Sequence, residues 1–129
     1  MTAGKTRILV VDDSAVIRSL LRHVVNSAPG LEVVASAGDG QAGMDQLKSG
    51  VLFDLALVDW NMPVMNGLEM LKQMRADGFS DVKVMMVTTE AENDFILRAL
   101  DAGADEYLMK PFDDEALTEK LAMLGLVEA

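Results

Sequence analysis

The chain has 129 residues, half of them hydrophobic and a quarter charged, which suits one globular domain with a real core and no disordered or fibrous character. Its formal net charge of −10 excludes general affinity for nucleic acid or anionic membrane, and the absence of cysteine excludes a disulfide framework or a thiolate metal site. No apolar run approaches the length of a membrane span, and Met1 to Lys5 holds no apolar stretch that could serve as a signal peptide, so the expected location is the cytoplasm.

Apolar runs alternate with helical periodicity five times along the chain. Residues 7–11 read as a strand, and residues 14 to about 26 as a helix with Val16, Leu20 and Val24 on one face. Ala28-Pro29-Gly30 breaks it. Residues 32–37 read as the second strand, and Asp39 as the cap of a helix carrying Met44 and Leu47. The third strand, residues 55–58, is apolar throughout, as expected for a strand covered on both faces. Asn61, Pro63 and Asn66-Gly67 then mark a loop. A helix follows from about residue 67 to 76, burying Leu68 and Leu71, and Gly78 ends that region. Residues 83–88 make the fourth strand, and residues 93–102 a helix that stops at Gly103 in a left-handed cap. Residues 106–109 make the fifth strand, Lys110-Pro111 a turn, and residues 113 to about 124 the last helix. No repeat, linker or low-complexity tract interrupts the pattern, so a single domain over residues 1–129 is expected, with a flexible tail over about residues 1–5.

Strands and helices in strict alternation mean a parallel sheet with helices on both faces. In such open sheets the ligand crevice lies beyond the carboxyl ends of the strands, where the winding reverses, and strands 1 and 3 flank that point. The residues on those ends carry chemistry. Strand 1 ends in Asp12-Asp13, strand 3 in Asp59, strand 4 in Thr88 and strand 5 in Lys110. Two like charges about 5 Å apart repel by roughly 3 kcal/mol at an effective dielectric near 20. Three acids in one crevice therefore need positive charge. Lys110 supplies one, and a hard divalent cation such as Mg²⁺ supplies the rest. On this reading Asp13 and Asp59 are metal ligands, Asp12 is a ligand through water, and the Asn61 backbone carbonyl gives a further oxygen.

A carboxylate in such a setting can attack phosphorus and form an acyl phosphate. Mg²⁺ bridging Asp59 and the phosphoryl oxygens neutralises charge, while Lys110 and the Thr88 hydroxyl engage further oxygens. A new, strongly charged group then replaces one carboxylate, which is a switch if Thr88 moves to meet it. Taken singly, each residue has a plainer role. Asp13 or Ser14 can cap a helix, Thr88 can be an ordinary strand residue, Lys110 a solvated charge, Tyr107 half-buried packing, and the ten methionines core filler. Those roles do not explain four strand ends that together carry the groups of one phosphoryl site.

The motifs Val-Asp-Asp-Ser (11–14), Asp-Trp-Asn-Met-Pro (59–63), Asn-Gly (66–67), Val-Thr-Thr-Glu-Ala (87–91) and Tyr-Leu-Met-Lys-Pro-Phe (107–112) resemble those of response-regulator receiver domains over residues 7 to about 124. The run after Asp59 is most similar to stand-alone chemotaxis regulators of the CheY type. The resemblance implies a flavodoxin-like sheet of order 2-1-3-4-5 and a Mg²⁺-dependent phosphoacceptor, Asp59, served by a histidine kinase or by small phosphodonors. It also implies a cis peptide at Lys110-Pro111, a switch pair formed by Thr88 and Tyr107, and lifetime tuning of the acyl phosphate by Asn61 and Glu90. The output face would be helix 4, strand 5 and helix 5, with Ala91, Tyr107 and Lys120 matching it and the flagellar motor switch as one expected partner. Such a protein is a monomer that catalyses only its own phosphorylation and dephosphorylation.

Glu92-Asn93-Asp94 departs from the lysines of the best-known chemotaxis members, which alters the output face and disfavours a partner selected for basic contacts. Residues 14–16 and 28–31 also resemble receivers attached to chemotaxis methylesterases, so a phosphorelay or methylesterase-type receiver is the nearest alternative. A Mg²⁺-dependent aspartyl phosphatase would need an acid two residues after its nucleophile, where this chain has Asn61. A flavin carrier of the same fold would set its phosphate against Asp12-Asp13, which repel it.

Overall fold

Alternate side chains of a strand point to opposite faces of its sheet, and in β1 (Thr6–Val11) this alternation divides the core in two. Ile8 and Val10 join one apolar cluster, while Leu9 and Val11 join another. In the computed structural model, which describes residues 5–127, the chain continues as α1 (Ala15–Asn26), β2 (Leu31–Ala37), α2 (Gly40–Leu47), β3 (Leu55–Val58) and α3 (Gly67–Ala76). It ends with β4 (Lys83–Thr88), α4 (Asn93–Ala102), β5 (Glu106–Met109) and α5 (Asp114–Met123). The tail expected over residues 1 to about 5 lies, Lys5 apart, outside the described residues.

The five strands are parallel in the order β2-β1-β3-β4-β5, as the resemblance implied. Leu21, Val24 and Val25 of α1 and Leu117 and Leu121 of α5 pack with Ile8, Val10, Leu55 and Leu57 on one face. Met44, Leu68, Leu71, Met74 and Ala99, from α2, α3 and α4, pack with Leu9, Val11, Ala56 and Val58 on the other. With both faces covered, β3 is buried at all four positions. Met44, Met70, Met74, Met85 and Met86 are buried core residues, in keeping with the role of filler.

One helix face departs from expectation. In α1 Val16 and Leu20 are solvent-exposed, and the buried stripe is Leu21, Val24 and Val25 with Ile17 packed beside it. Residues in an i, i+4, i+8 row drift by about 40° per step around a helix. Of the row Val16, Leu20 and Val24, only its last member has rotated far enough to meet the sheet.

Helix boundaries follow capping chemistry. Ser14, Asp39 and Asp113 each accept a hydrogen bond from a backbone N–H of the first turn of α1, α2 and α5. Asn66 and Glu69 form a reciprocal capping box that starts α3. Gly103 closes α4 at φ 110, the left-handed conformation expected there.

Candidate functional site

Register brings the polar residues together. Val11 pairs with Val58, so Asp12 and Asp59, each the next residue in its chain, emerge side by side at the carboxyl edge. Thr88 pairs with Met109 on the other side, which places Lys110 one residue beyond the same edge. The backbone reinforces the arrangement: Asp59 N–H donates to Val11 O (3.0 Å), Asp12 N–H to Ala37 O (3.0 Å) and Lys110 N–H to Thr88 O (2.9 Å). The Lys110-Pro111 peptide is cis, as the resemblance implied.

Among the described residues, Asp12, Asp59 and Thr88 are the buried polar or charged ones, the Tyr107 hydroxyl apart, whereas Asp13 is exposed. One carboxylate oxygen from each of Asp12, Asp13 and Asp59 lies within 4.8 Å of the others, a spacing that a single small cation can span. Lys110 Nζ donates to Asp12 Oδ2 at 2.7 Å and to Asp59 Oδ2 at 3.3 Å. The other oxygens are also engaged, Asp12 Oδ1 by Ser14 N–H (2.9 Å) and Asp59 Oδ1 by Trp60 N–H (2.7 Å). Asp13 makes no ion pair or hydrogen bond through its carboxylate among the described residues.

Burial raises the Asp59 carboxyl above the ordinary carboxylate range. Lys110 opposes the rise, the Asp12 charge adds to it, and the Thr88 hydroxyl opposes it. Lys110 therefore does not fully offset the burial of Asp59. The donor set is all-oxygen and anionic, which fits a hard divalent cation and no softer one.

Around this centre lie the residues expected to tune it. Asn61 donates from its side-chain amide to Glu90 Oε1 at 2.6 Å, joining the loop after β3 to the one after β4. The Thr88 hydroxyl accepts from Glu90 N–H at 3.3 Å. Tyr107 is buried rather than half-buried, and its hydroxyl donates to the Glu90 carbonyl. Burial first, then the charges of Glu90 and Asp59, push its phenol up to about 12. Glu90 thus holds Asn61 by its side chain and Tyr107 by its backbone. Ala91 is exposed beside it, and Lys120 is tied to Glu106 at 3.0 Å.

Two contributors were not anticipated from the sequence. Arg18 Nη1 donates to the Asp12 carbonyl at 2.6 Å, fixing the strand end from α1. Its position on the second turn of the helix that follows Asp12-Asp13 is the signal that could have found it. Trp60 does more than follow the acid, since its own N–H binds it.

A flavodoxin-like sheet with three acids, a hydroxyl and an ammonium on its carboxyl edge is the arrangement that the resemblance to signalling receivers implied. Comparison supplies the family: the model of the response regulator receiver domain matches residues 8–122, and the chain belongs to that family, which acts in two-component signalling. The chain is similar to the chemotaxis protein CheY1 of Helicobacter pylori strain J99, at 37% identity over 119 residues, 92% of this chain and 95% of that one. It is similar also to the chemotaxis protein CheY of Pseudomonas aeruginosa, at 39% identity over 116 residues, 89% of this chain and 92% of that one. Among solved structures, the chemotaxis protein CheY4 of Vibrio cholerae superposes with a TM-score of 0.85 at 32% identity, covering 93% of this chain and 98% of the other. Among the described residues, no helix is long and apolar enough to cross a membrane.

Proposed function

We propose that the chain is a phosphorylation-activated switch of a chemotaxis pathway in the cytoplasm, with Asp59 as phosphoacceptor and Mg²⁺ as cofactor. One observation carries the reading: three carboxylates with oxygens within 4.8 Å of one another, two of them bridged by a single, partly buried lysine. Asp13 and Asp59 would hold the cation, with the Asn61 carbonyl as a further oxygen. Asp12, whose two oxygens already have donors in Ser14 and Lys110, would act through water. When bound, Mg²⁺ supplies positive charge that neutralises the phosphoryl oxygens.

The residues themselves do the rest. An Asp59 oxygen attacks phosphorus, a new P–O bond forms, and the bond from phosphorus to the imidazole nitrogen of a kinase phosphohistidine breaks. Lys110 is placed to pair with a phosphoryl oxygen once Asp59 is esterified, and the Thr88 hydroxyl to donate to another. Turning Thr88 toward the phosphoryl group would favour the position Tyr107 already holds here, buried with its hydroxyl on the Glu90 carbonyl, and so set the α4–β5–α5 face carrying Ala91, Tyr107 and Lys120. Water attacking the same phosphorus, with P–O cleavage back to Asp59, resets the switch. Asn61 and Glu90, bonded to each other beside the acids, would tune the lifetime of the acyl phosphate.

The relatives' chemotaxis role favours a flagellar motor switch as output partner of a monomeric receiver. Glu92 and Asp94 at the start of α4 favour a partner surface adapted to acid. The test is direct. Incubation with a small acyl-phosphate donor and Mg²⁺ should add one phosphoryl group by intact mass, and Asp59→Asn should abolish the addition. Uptake unchanged in that variant would place the nucleophile elsewhere.

A further inference from the structure

Four helices of this fold begin with a side chain bonded to the first turn, but α4 does not: its N-cap residue, Glu92, makes no such bond. The helix is also thinly seated, since Ala99 is its single fully buried residue. Phe95, Ile96 and Ala102 add partly buried contacts with the core, and of these Phe95 meets an aromatic partner. Phe95 stands edge-on to Trp60, with ring centroids 4.9 Å apart and an interplanar angle of 79°. One turn further along, the Arg98 guanidinium lies 5.6 Å from the Trp60 ring centroid and 5.8 Å from that of Phe95. Asp94 sits 3.7 Å from the same guanidinium and steadies it from the preceding turn. The Trp60 ring is buried beneath this pair, and its backbone N–H is committed to Asp59 Oδ1 at 2.7 Å.

We infer that Phe95 and Arg98 are positioning residues that seat α4 on the Trp60 ring and so couple the helix to the state of the Asp59 carboxylate. The coupling rests on the phosphoacceptor reading above and adds to it a second route to the output face, separate from Thr88 and Tyr107. Its physical basis is a short chain of contacts. Esterifying Asp59 removes charge from the carboxylate that the Trp60 N–H binds, which weakens that bond and frees the peptide to tilt. The ring moves with its backbone, and Phe95 and Arg98, both on α4, move with the ring. In the reverse direction, a partner that fixes α4 holds the Trp60 N–H against the carboxylate, as reciprocity requires.

The test uses the full chain with Mg²⁺ and beryllofluoride, a non-covalent phosphoryl mimic, and follows backbone amide shifts of α4 and of β5 separately. Phe95→Leu and Arg98→Met should each lose at least half of the α4 response while the β5 response around Tyr107 persists. Phe95→Tyr, which keeps the ring, should restore the α4 response. Trp60 fluorescence should respond to the mimic in wild type and less in Phe95→Leu. An α4 response equal to wild type in both disruptive variants overturns the inference, as does an equal loss in α4 and β5. A wild-type protein that ignores the mimic in every element overturns the phosphoacceptor reading itself, and the coupling with it.

Discussion

The ammonium of Lys110 lies closer to Asp12, at 2.7 Å, than to Asp59, at 3.3 Å. The lysine is thus anchored on the acid of β1 and only leans toward that of β3, leaving Asp59 free to gain a new substituent without losing the pair. Asp12 is buried while Lys110 is partly so, and removing the lysine strands the Asp12 charge. Lys110→Met should therefore lower unfolding free energy by about 3 kcal/mol at neutral pH in chelator, read from urea denaturation. Saturating Mg²⁺ should recover part of that loss, because it supplies the missing positive charge. An unchanged urea midpoint in chelator would contradict the account.

Asp59 carries the opposite liability, because burial raises its folded-state pKa above the ordinary 3.8. Below that ordinary value, the side chain is protonated in both folded and unfolded chains and stability is unaffected. As pH rises from there through the folded pKa, the unfolded chain has already released its proton, so stability falls and stays lower at neutral pH. Asp59→Asn should then melt at a higher temperature than wild type at neutral pH in chelator. The gap should narrow as pH approaches 3.8, and it should narrow at neutral pH when Mg²⁺ is added. Equal melting temperatures at neutral pH in chelator would show that Lys110 compensates both acids in full.

Val64, in the loop after Asp59, has a positive φ of 68, and Met65 N–H donates to Pro63 O around it at 2.7 Å. A β-branched residue is poorly suited to that conformation, whereas asparagine adopts it readily. The Val64 side chain is exposed and contributes no packing to offset the strain. Val64→Asn should raise stability by about 1 kcal/mol, as a shift in urea midpoint with an unchanged slope. A fall in the midpoint would mean that the valine makes a contact worth more than its backbone costs.

These features differ in how far the sequence discloses them. The strands and the acids at their ends are legible because an apolar run that stops at a charge is a local signal, and β3 with Asp59 shows it most plainly. Gly103 as a left-handed cap is legible for the same reason. The buried stripe of α1 is not, because Val16-Leu20-Val24 and Ile17-Leu21-Val24 are both apolar rows and the sheet decides between them. The seating of Phe95 and Arg98 on Trp60 joins residues far apart in the chain, and no periodicity encodes it. Arg75 is another such case: its guanidinium donates to the carbonyls of Phe79, Val82 and Gly103, pinning α3 to the segments that lead into β4 and β5. Nor does Pro63-Val64 signal a left-handed residue, since the usual glycine or asparagine is missing from that position.

Gly67 ties the loop back to Asp59. Its N–H donates to Trp60 O at 2.8 Å, and a Cβ added to it would fall on the backbone carbonyl of Asp59. The requirement here is space, since the nearest obstacle is backbone that cannot turn aside. Gly67→Ala should cost about 2 kcal/mol in stability through overpacking. Because relief requires shifting the Asp59 main chain, phosphoryl uptake from a small donor should slow as well. Asn66→Ala, one residue earlier, removes the capping box and should cost about 1 kcal/mol without touching Asp59. Comparing the two separates general weakening of α3 from displacement of the acid: uptake should fall in Gly67→Ala and hold in Asn66→Ala. Equal uptake in both, at reduced stability, would show that the close approach of Gly67 serves packing alone.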